Sequence, residues 1–172
     1  MNLEELVIRN ATKDDISKIV DIKVRGWKNA YEDIISEDIL NNMSVEKETF
    51  SYTNKYSLSD IFVATIKEEI VGFCRVYDYD SPQYDSDVDC EVREIYVRPD
   101  IKGKGIGSKL FEFVLDYFKN KDKFKLYLGV FEQNYKSRKF YEKMGGTLWK
   151  KDYLKIGETN YPTVSYIYEL RK

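Results

Sequence analysis

Histidine does not occur among the 172 residues. Ser–His–Asp and Cys–His activation of a nucleophile, histidine-ligated metals and imidazole-based pH switching are therefore excluded. Cysteine is limited to Cys74 and Cys90. Two thiolates are too few for a four-coordinate structural zinc and give no disulfide framework, so both read as reduced core residues. Neither sign of charge dominates: 28 basic residues face 30 acidic ones, for a net charge of −2. No positive field is left over to hold polyanions, which argues against general nucleic-acid binding. No stretch approaches the roughly 20 apolar residues that cross a bilayer. Glu4 and Glu5 stand where a secretory leader carries basic residues. The expectation is a soluble, cytoplasmic protein with no membrane partner. What the chain has in quantity is aromatic and apolar: 15 Tyr, 9 Phe and 42% hydrophobic residues. Such a composition folds, and its length suits one domain spanning residues 1–172.

No internal repeat or linker interrupts the chain. The apolar run 6–9 predicts a first strand, and Thr12-x-x-Asp15 a capping box that opens a helix. Ile16, Ile19, Val20, Ile22, Val24 and Trp27 recur at helical spacing, with further helical stretches near 36–43 and 45–57. Runs 61–66 and 70–77 predict a hairpin. The acid-rich segment 78–89 reads as an exposed connection, followed by a strand over 91–97 that Pro99 ends. An amphipathic helix is predicted over 106–118, a strand over 124–130, a helix over 134–144 and two closing strands near 147–156 and 163–170. Strands flanking well-formed helices, with a strand–helix–strand unit between 91 and 130, give a layered α/β domain.

The segment Lys102-Gly103-Lys104-Gly105-Ile106-Gly107 lies between a predicted strand and a predicted helix. Glycine allows close backbone approach to a ligand, and the unpaired N–H groups of the helix start then point at an anion. Lys102, Lys104 and Lys109 favour a diphosphate over a simple carboxylate. A Walker loop fails on spacing, because Ser108 stands five residues after Gly103 and Lys109 precedes Leu110. A dinucleotide fingerprint fails as well, since its last glycine falls on Ser108 or Leu110. A glycine-rich turn with solvated lysines remains the plain alternative.

Tyr96-Val97-Arg98-Pro99 leads into this loop, and further on comes Asn134-x-x-Ser137-x-x-Phe140-Tyr141-x-x-x-Gly145. Together the two segments resemble the acyl-CoA loop, [RQ]-x-x-G-x-[GA], and the N-x-x-[AS]-x-x-[FL]-Y-x-x-x-G helix of the GNAT superfamily of N-acetyltransferases. Lys102 departs from the family's usual Gln or Arg, and the resemblance is strongest over residues 91–146. It implies a mixed, mostly antiparallel, twisted sheet of about six or seven strands flanked by helices, with a splayed central parallel pair. It also implies acetyl-CoA as cosubstrate, no metal, and an amine that attacks the thioester directly. By the same resemblance Lys102, Gly103, Lys104, Gly105, Ile106, Gly107 and Ser108 hold the diphosphate. Asn134 and the backbone of Tyr96 and Val97 hold the pantetheine arm, Ser137 also belongs to the cofactor site, and Tyr141 is the general acid. Trp27 and Tyr31 look like the border of the acceptor pocket, with simple core packing equally open to them.

An alkylamine with a pKa near ~10 must lose a proton before it attacks. By the same resemblance Glu91, six residues before Val97, where several family members place a base on this strand, is the favoured base and Glu94 the reserve. Strand alternation places Val92 and Glu94 on the face opposite Glu91 and Arg93, so the two glutamates should not share a site. Between Arg75 and Arg93 the acids Asp78, Asp80, Asp85, Asp87, Asp89 and Glu91 meet no basic residue. This acidic rim would concentrate a cationic acceptor such as a polyamine, an aminoglycoside, or a lysine or N-terminal amine; solvated loop charge is the alternative. The rival function is a non-catalytic acyl-CoA-binding or sensing module. A homodimer is compatible with either.

Overall fold

Thr12 closes the first strand and opens the first helix. Its N–H and hydroxyl both donate to Asp15 Oδ2, at 2.7 and 3.0 Å, and Arg9 pairs with the same carboxylate. The computed structural model describes residues 3–83 and 88–171. Its strands are β1 (Leu6–Asn10), β2 (Ile61–Ile66), β3 (Glu69–Gln83), β4 (Val88–Val97), β5 (Lys125–Phe131), β6 (Thr147–Ile156) and β7 (Thr159–Glu169). Its helices are α1 (Ile16–Tyr31), α2 (Glu37–Asn41), α3 (Val45–Asn54), α4 (Ile106–Asn120) and α5 (Tyr135–Lys143). The strands form one sheet in the order β1-β2-β3-β4-β5-β7-β6, antiparallel except for the central pair β4–β5. Among the described residues no helix is long and apolar enough to cross a membrane.

Each sheet face buries its own helices, which follows from the period-two alternation of strand side chains against the stripes of amphipathic helices. Ile106, Leu110, Phe111, Val114 and Phe118 of α4 pack on Cys74, Val76, Cys90, Val92, Leu126 and Leu128. Phe140 and Tyr141 of α5 join this layer. On the opposite face α1 and α3 bury Ile16, Ile19, Val20, Ile22 and Tyr52 against Ile61, Val63 and Phe73. Both cysteines are buried free thiols, and burial pushes their pKa values up, which makes them inert.

The segment 78–89 departs from the expected exposed connection. Asp78 and Asp80 lie within β3, which extends to Gln83, while Asp89 is buried in β4. Asp78 pairs with Lys121 and Lys123. Asp89 accepts the N–H groups of Phe124 and Lys125 at 3.0–3.1 Å. Asp85 and Asp87 lie outside the described residues. Asp78 and Asp89 are thus tied to partners at the turn between α4 and β5, which leaves Asp80 as the exposed acid among the described aspartates of this segment.

The β3–β4 ladder also slips by one residue. Arg75 faces Glu94 and Val76 faces Val92, so Arg93 is an extra residue that bulges from β4. The bulge resets the alternation. Glu91, Glu94 and Tyr96 all lie on the α1 face, correcting the expectation that the two glutamates point to opposite sides.

Tyr96 packs so closely on α1 that a Cβ at Gly26 would sit 2.6 Å from its ring. Gly26→Ala is expected to cost about 1–3 kcal/mol in urea unfolding, through displacement of a buried ring.

Candidate active site

The parallel pair β4–β5 is joined only at its start, where Cys90 faces Leu126 and Glu91 faces Tyr127. Asp89 pins that end by capping the first amides of β5. Beyond it the strands separate, and the opening is continuous with a cavity of about 470 Å³ that reaches the loop before α4. Arg98 N donates to Val71 O at 2.9 Å on the β3 side of the ladder. Since alternate residues of an antiparallel ladder face the partner, Tyr96 also bonds β3, and the main-chain groups of Ile95 and Val97 face the gap. The strand register thus turns the backbone of Val97 and of Ile95, rather than that of Tyr96, toward the gap.

At the outer end of the cavity, Gly103 and Gly105 have φ of 82° and 85°. This left-handed region costs other residues about 1–2 kcal/mol. Gly105 is the N-cap of α4 and, lacking a side chain, leaves the first-turn N–H groups uncapped. Gly107 brings α4 close to its neighbours: a Cβ there would lie 3.7 Å from Val97 and 3.8 Å from Phe140. Lys102, Gly103, Gly105, Ile106, Gly107 and Ser108 line the cavity. Lys104 is exposed and does not line it. Lys136 of α5 lines the opposite wall, and partial burial together with the Lys136 charge pulls the Lys102 ammonium pKa down. Lys102 donates to Asn29 Oδ1 at 3.1 Å. Two lysines close to each other without a carboxylate between them suit a multiply charged anion.

Asn134, buried at the N-cap of α5, accepts from Ser137 N at 3.2 Å through Oδ1, and this leaves its Nδ2 as a donor toward the cavity it lines. Ser137 and Tyr141 line the same wall. No hydrogen bond of the Tyr141 hydroxyl is found among the described residues, and burial, then the nearby Tyr31, pushes its pKa far above the usual phenol value. Tyr31 and Tyr96 stand next to each other on the opposite side of the gap, and burial pushes both phenol pKa values up. The separation of β4 from β5 is what allows phenols from both sheet faces to meet.

The two glutamates differ. Glu94 lines the cavity but is fully engaged: Lys23 binds Oε1, while Arg75 Nε at 2.8 Å and the Tyr52 hydroxyl at 2.5 Å bind Oε2. Burial alone would push its carboxyl up, but Lys23 and Arg75 overturn this and hold it below the usual range. Glu91 is not part of the cavity wall. Tyr79 donates to it and Arg93 Nε lies 3.1 Å away, yet burial still pushes its pKa up. Trp27 is also outside the wall. It packs edge-on against Tyr31 at 4.7 Å, with its indole N–H buried and unpartnered among the described residues. Core packing describes Trp27, whereas Tyr31 reaches the cavity.

Residues 27–146 match the profile of the acetyltransferase (GNAT) family. The chain belongs to this family. An uncharacterized N-acetyltransferase of Archaeoglobus fulgidus is 29% identical over 134 residues, which is 78% of this chain and 88% of that one. An uncharacterized N-acetyltransferase of Lactobacillus delbrueckii subsp. lactis is 28% identical over 130 residues, 74% of this chain and 68% of its own. The solved yncA acetyltransferase of Salmonella typhimurium, with its cofactor acetyl-CoA, shares the fold at a TM-score of 0.72 and 20% identity, over 98% of this chain and 95% of that one. The PaiA N-acetyltransferase of Thermoplasma acidophilum, in complex with coenzyme A, does so at 0.70 and 22%, over 95% and 99%.

Sequence reasoning did not single out Ile95, Lys136 or Lys143 among the cavity-lining residues of this acetyltransferase. Ile95 could have been found from ladder parity had the bulge been known. Lys136 and Lys143 look like any other exposed helix lysines, and nothing local marks them.

Proposed function

We propose that this acetyltransferase moves an acetyl group from acetyl-CoA to a primary amine by direct attack in a ternary complex. The observation that supports it most is the single cavity running from the uncapped start of α4 to the gap between β4 and β5. Residues at each point along it suit the corresponding part of coenzyme A. The first-turn amides of α4, with Lys102 and Lys136, bind a diphosphate by hydrogen bonds and charge. Asn134 Nδ2 and the main-chain groups of Ile95 and Val97 fit the amides of a pantetheine arm. When bound, acetyl-CoA supplies the acyl group as a thioester already activated toward amines. Tyr141, kept neutral by burial, donates a hydrogen bond at the place where the sulfur departs. The phenol pair Tyr31–Tyr96 borders the side from which an amine enters.

Calorimetric titration with coenzyme A tests the reading directly. The wild type should bind, and Gly107→Val, which places a branched side chain between Val97 and Phe140, should weaken binding at least about tenfold. Wild-type protein that fails to bind would remove the proposal. Binding without thiol release from any amine would leave a coenzyme A-binding module instead.

A further inference from the structure

Among the described residues Glu94 is the one carboxylate that lines the cavity, and Lys23, Arg75 and Tyr52 already occupy it. The other titratable groups facing the gap can take no proton from an ammonium. From α1, β4 and α5 come the neutral phenols Tyr31, Tyr96 and Tyr141, all pushed upward by burial. β5 presents only Leu128, Gly129 and Val130. Arg93, which also lines the wall, turns to Glu91 outside it, while Lys102 and Lys136 serve the diphosphate in the proposed complex.

Resting on the proposed amine acetylation, we propose that among its described residues this acetyltransferase provides no base that deprotonates an incoming ammonium at the gap, and that it selects acceptors that arrive as neutral amines, namely the α-amino groups of amino-acid amides and peptides rather than lysine side chains or polyamines. The step balances without a base that takes a proton from the free ammonium. The neutral nitrogen forms the C–N bond with the acyl carbon as the C–S bond breaks. The Tyr141 hydroxyl gives its proton to the departing sulfur and regains one from the nitrogen, leaving an amide, a free thiol and an unchanged phenol. At about pH 7.5 an α-amine of pKa near 7.8 is roughly one-third neutral, against about 0.1% for an alkylamine of pKa near 10.4. The stronger intrinsic nucleophilicity of the alkylamine returns part of this difference. At least about tenfold preference in kcat/KM should remain for alaninamide over Nα-acetyllysine amide at that pH, closing as the pH approaches the alkylamine's own pKa.

Two measurements test it. In thiol release with ethylamine and its mono-, di- and trifluoro analogues, the acidic limb of kcat/KM should move with the pKa of each acceptor, and keep moving in Glu91→Gln. In titrations of the enzyme–coenzyme A complex with ethylamine, binding enthalpies in buffers of different ionisation heat should show about one proton released per amine bound. A limb fixed at one pH for every acceptor and lost in Glu91→Gln would overturn the proposal, as would binding with no proton release or a faster lysine-type acceptor at neutral pH. These outcomes leave the acetyltransferase reading intact. Absence of coenzyme A binding, or of thiol release from every amine at every pH, overturns both.

Discussion

Tyr141→Phe is expected to lower kcat by at least about a hundredfold while coenzyme A binds within about twofold of wild type. The ring stays in place, because Tyr141 is held by Phe111, Phe140 and Tyr166 at centroid distances of 5.4–6.1 Å, all contacts that phenylalanine keeps. What is removed is a hydroxyl with no partner among the described residues, aimed at a gap that receives the reacting sulfur in the proposed function. The hydroxyl opens onto the cavity, where water can meet it, so Tyr141→Phe should leave stability nearly unchanged. The phenol is buried and raised, so it remains protonated throughout the working range. No basic limb attributable to Tyr141 should therefore appear below about pH 10. Thermal shift with coenzyme A and single-turnover thiol release separate the two effects. Equal losses of binding and turnover would mean that Tyr141 only shapes the cavity.

The sequence made some of this site legible because its determinants are local. The diphosphate loop is written in consecutive residues: a strand end at Val97, Pro99 to stop it, glycines at positions of positive φ and a helix that begins without a cap. Asn134 and Tyr141 follow on one short helix, where spacing alone sets their common face. Other features depend on partners distant in the chain. The bulge at Arg93 is a property of the β3–β4 ladder, and it is what moved Glu94 to the same face as Glu91. The acids of 78–89 looked like a solvated loop because Lys121, Lys123 and the amides of Phe124 and Lys125, which bind Asp78 and Asp89, come from beyond α4. Lys23 sits within the apolar stripe of α1 as one member of a buried ion cluster, a place that its partners Glu94 and Glu48, distant in the chain, decide.

That cluster carries the largest stability prediction. Glu94→Ala should destabilise the protein by about 3 kcal/mol or more, since it leaves Arg75 without its carboxylate and Lys23 with Glu48 alone, at 2.7 Å, in the interior. Their side chains are 8% and 15% exposed and that of Glu94 is 12%, too little water to replace the lost carboxylate. For a chain of this length the corresponding fall in Tm is roughly 10 °C. Glu94→Gln, which keeps the shape and part of the hydrogen bonding, should lose less. The pH dependence has a definite sign. Lys23 and Arg75 hold the Glu94 carboxyl below its unfolded value, so its stabilisation is fully present above about pH 4.3 and disappears as the pH falls through the folded value. The stability gap between wild type and Glu94→Gln, measured by urea unfolding, should therefore be constant near neutrality and close in acid. A gap that persisted unchanged into strong acid would show that Glu94 contributes through packing and not through its charge. If turnover per folded molecule survives in Glu94→Gln, the carboxylate acts as the keystone of β4 beneath the gap, which is the role its three partners define.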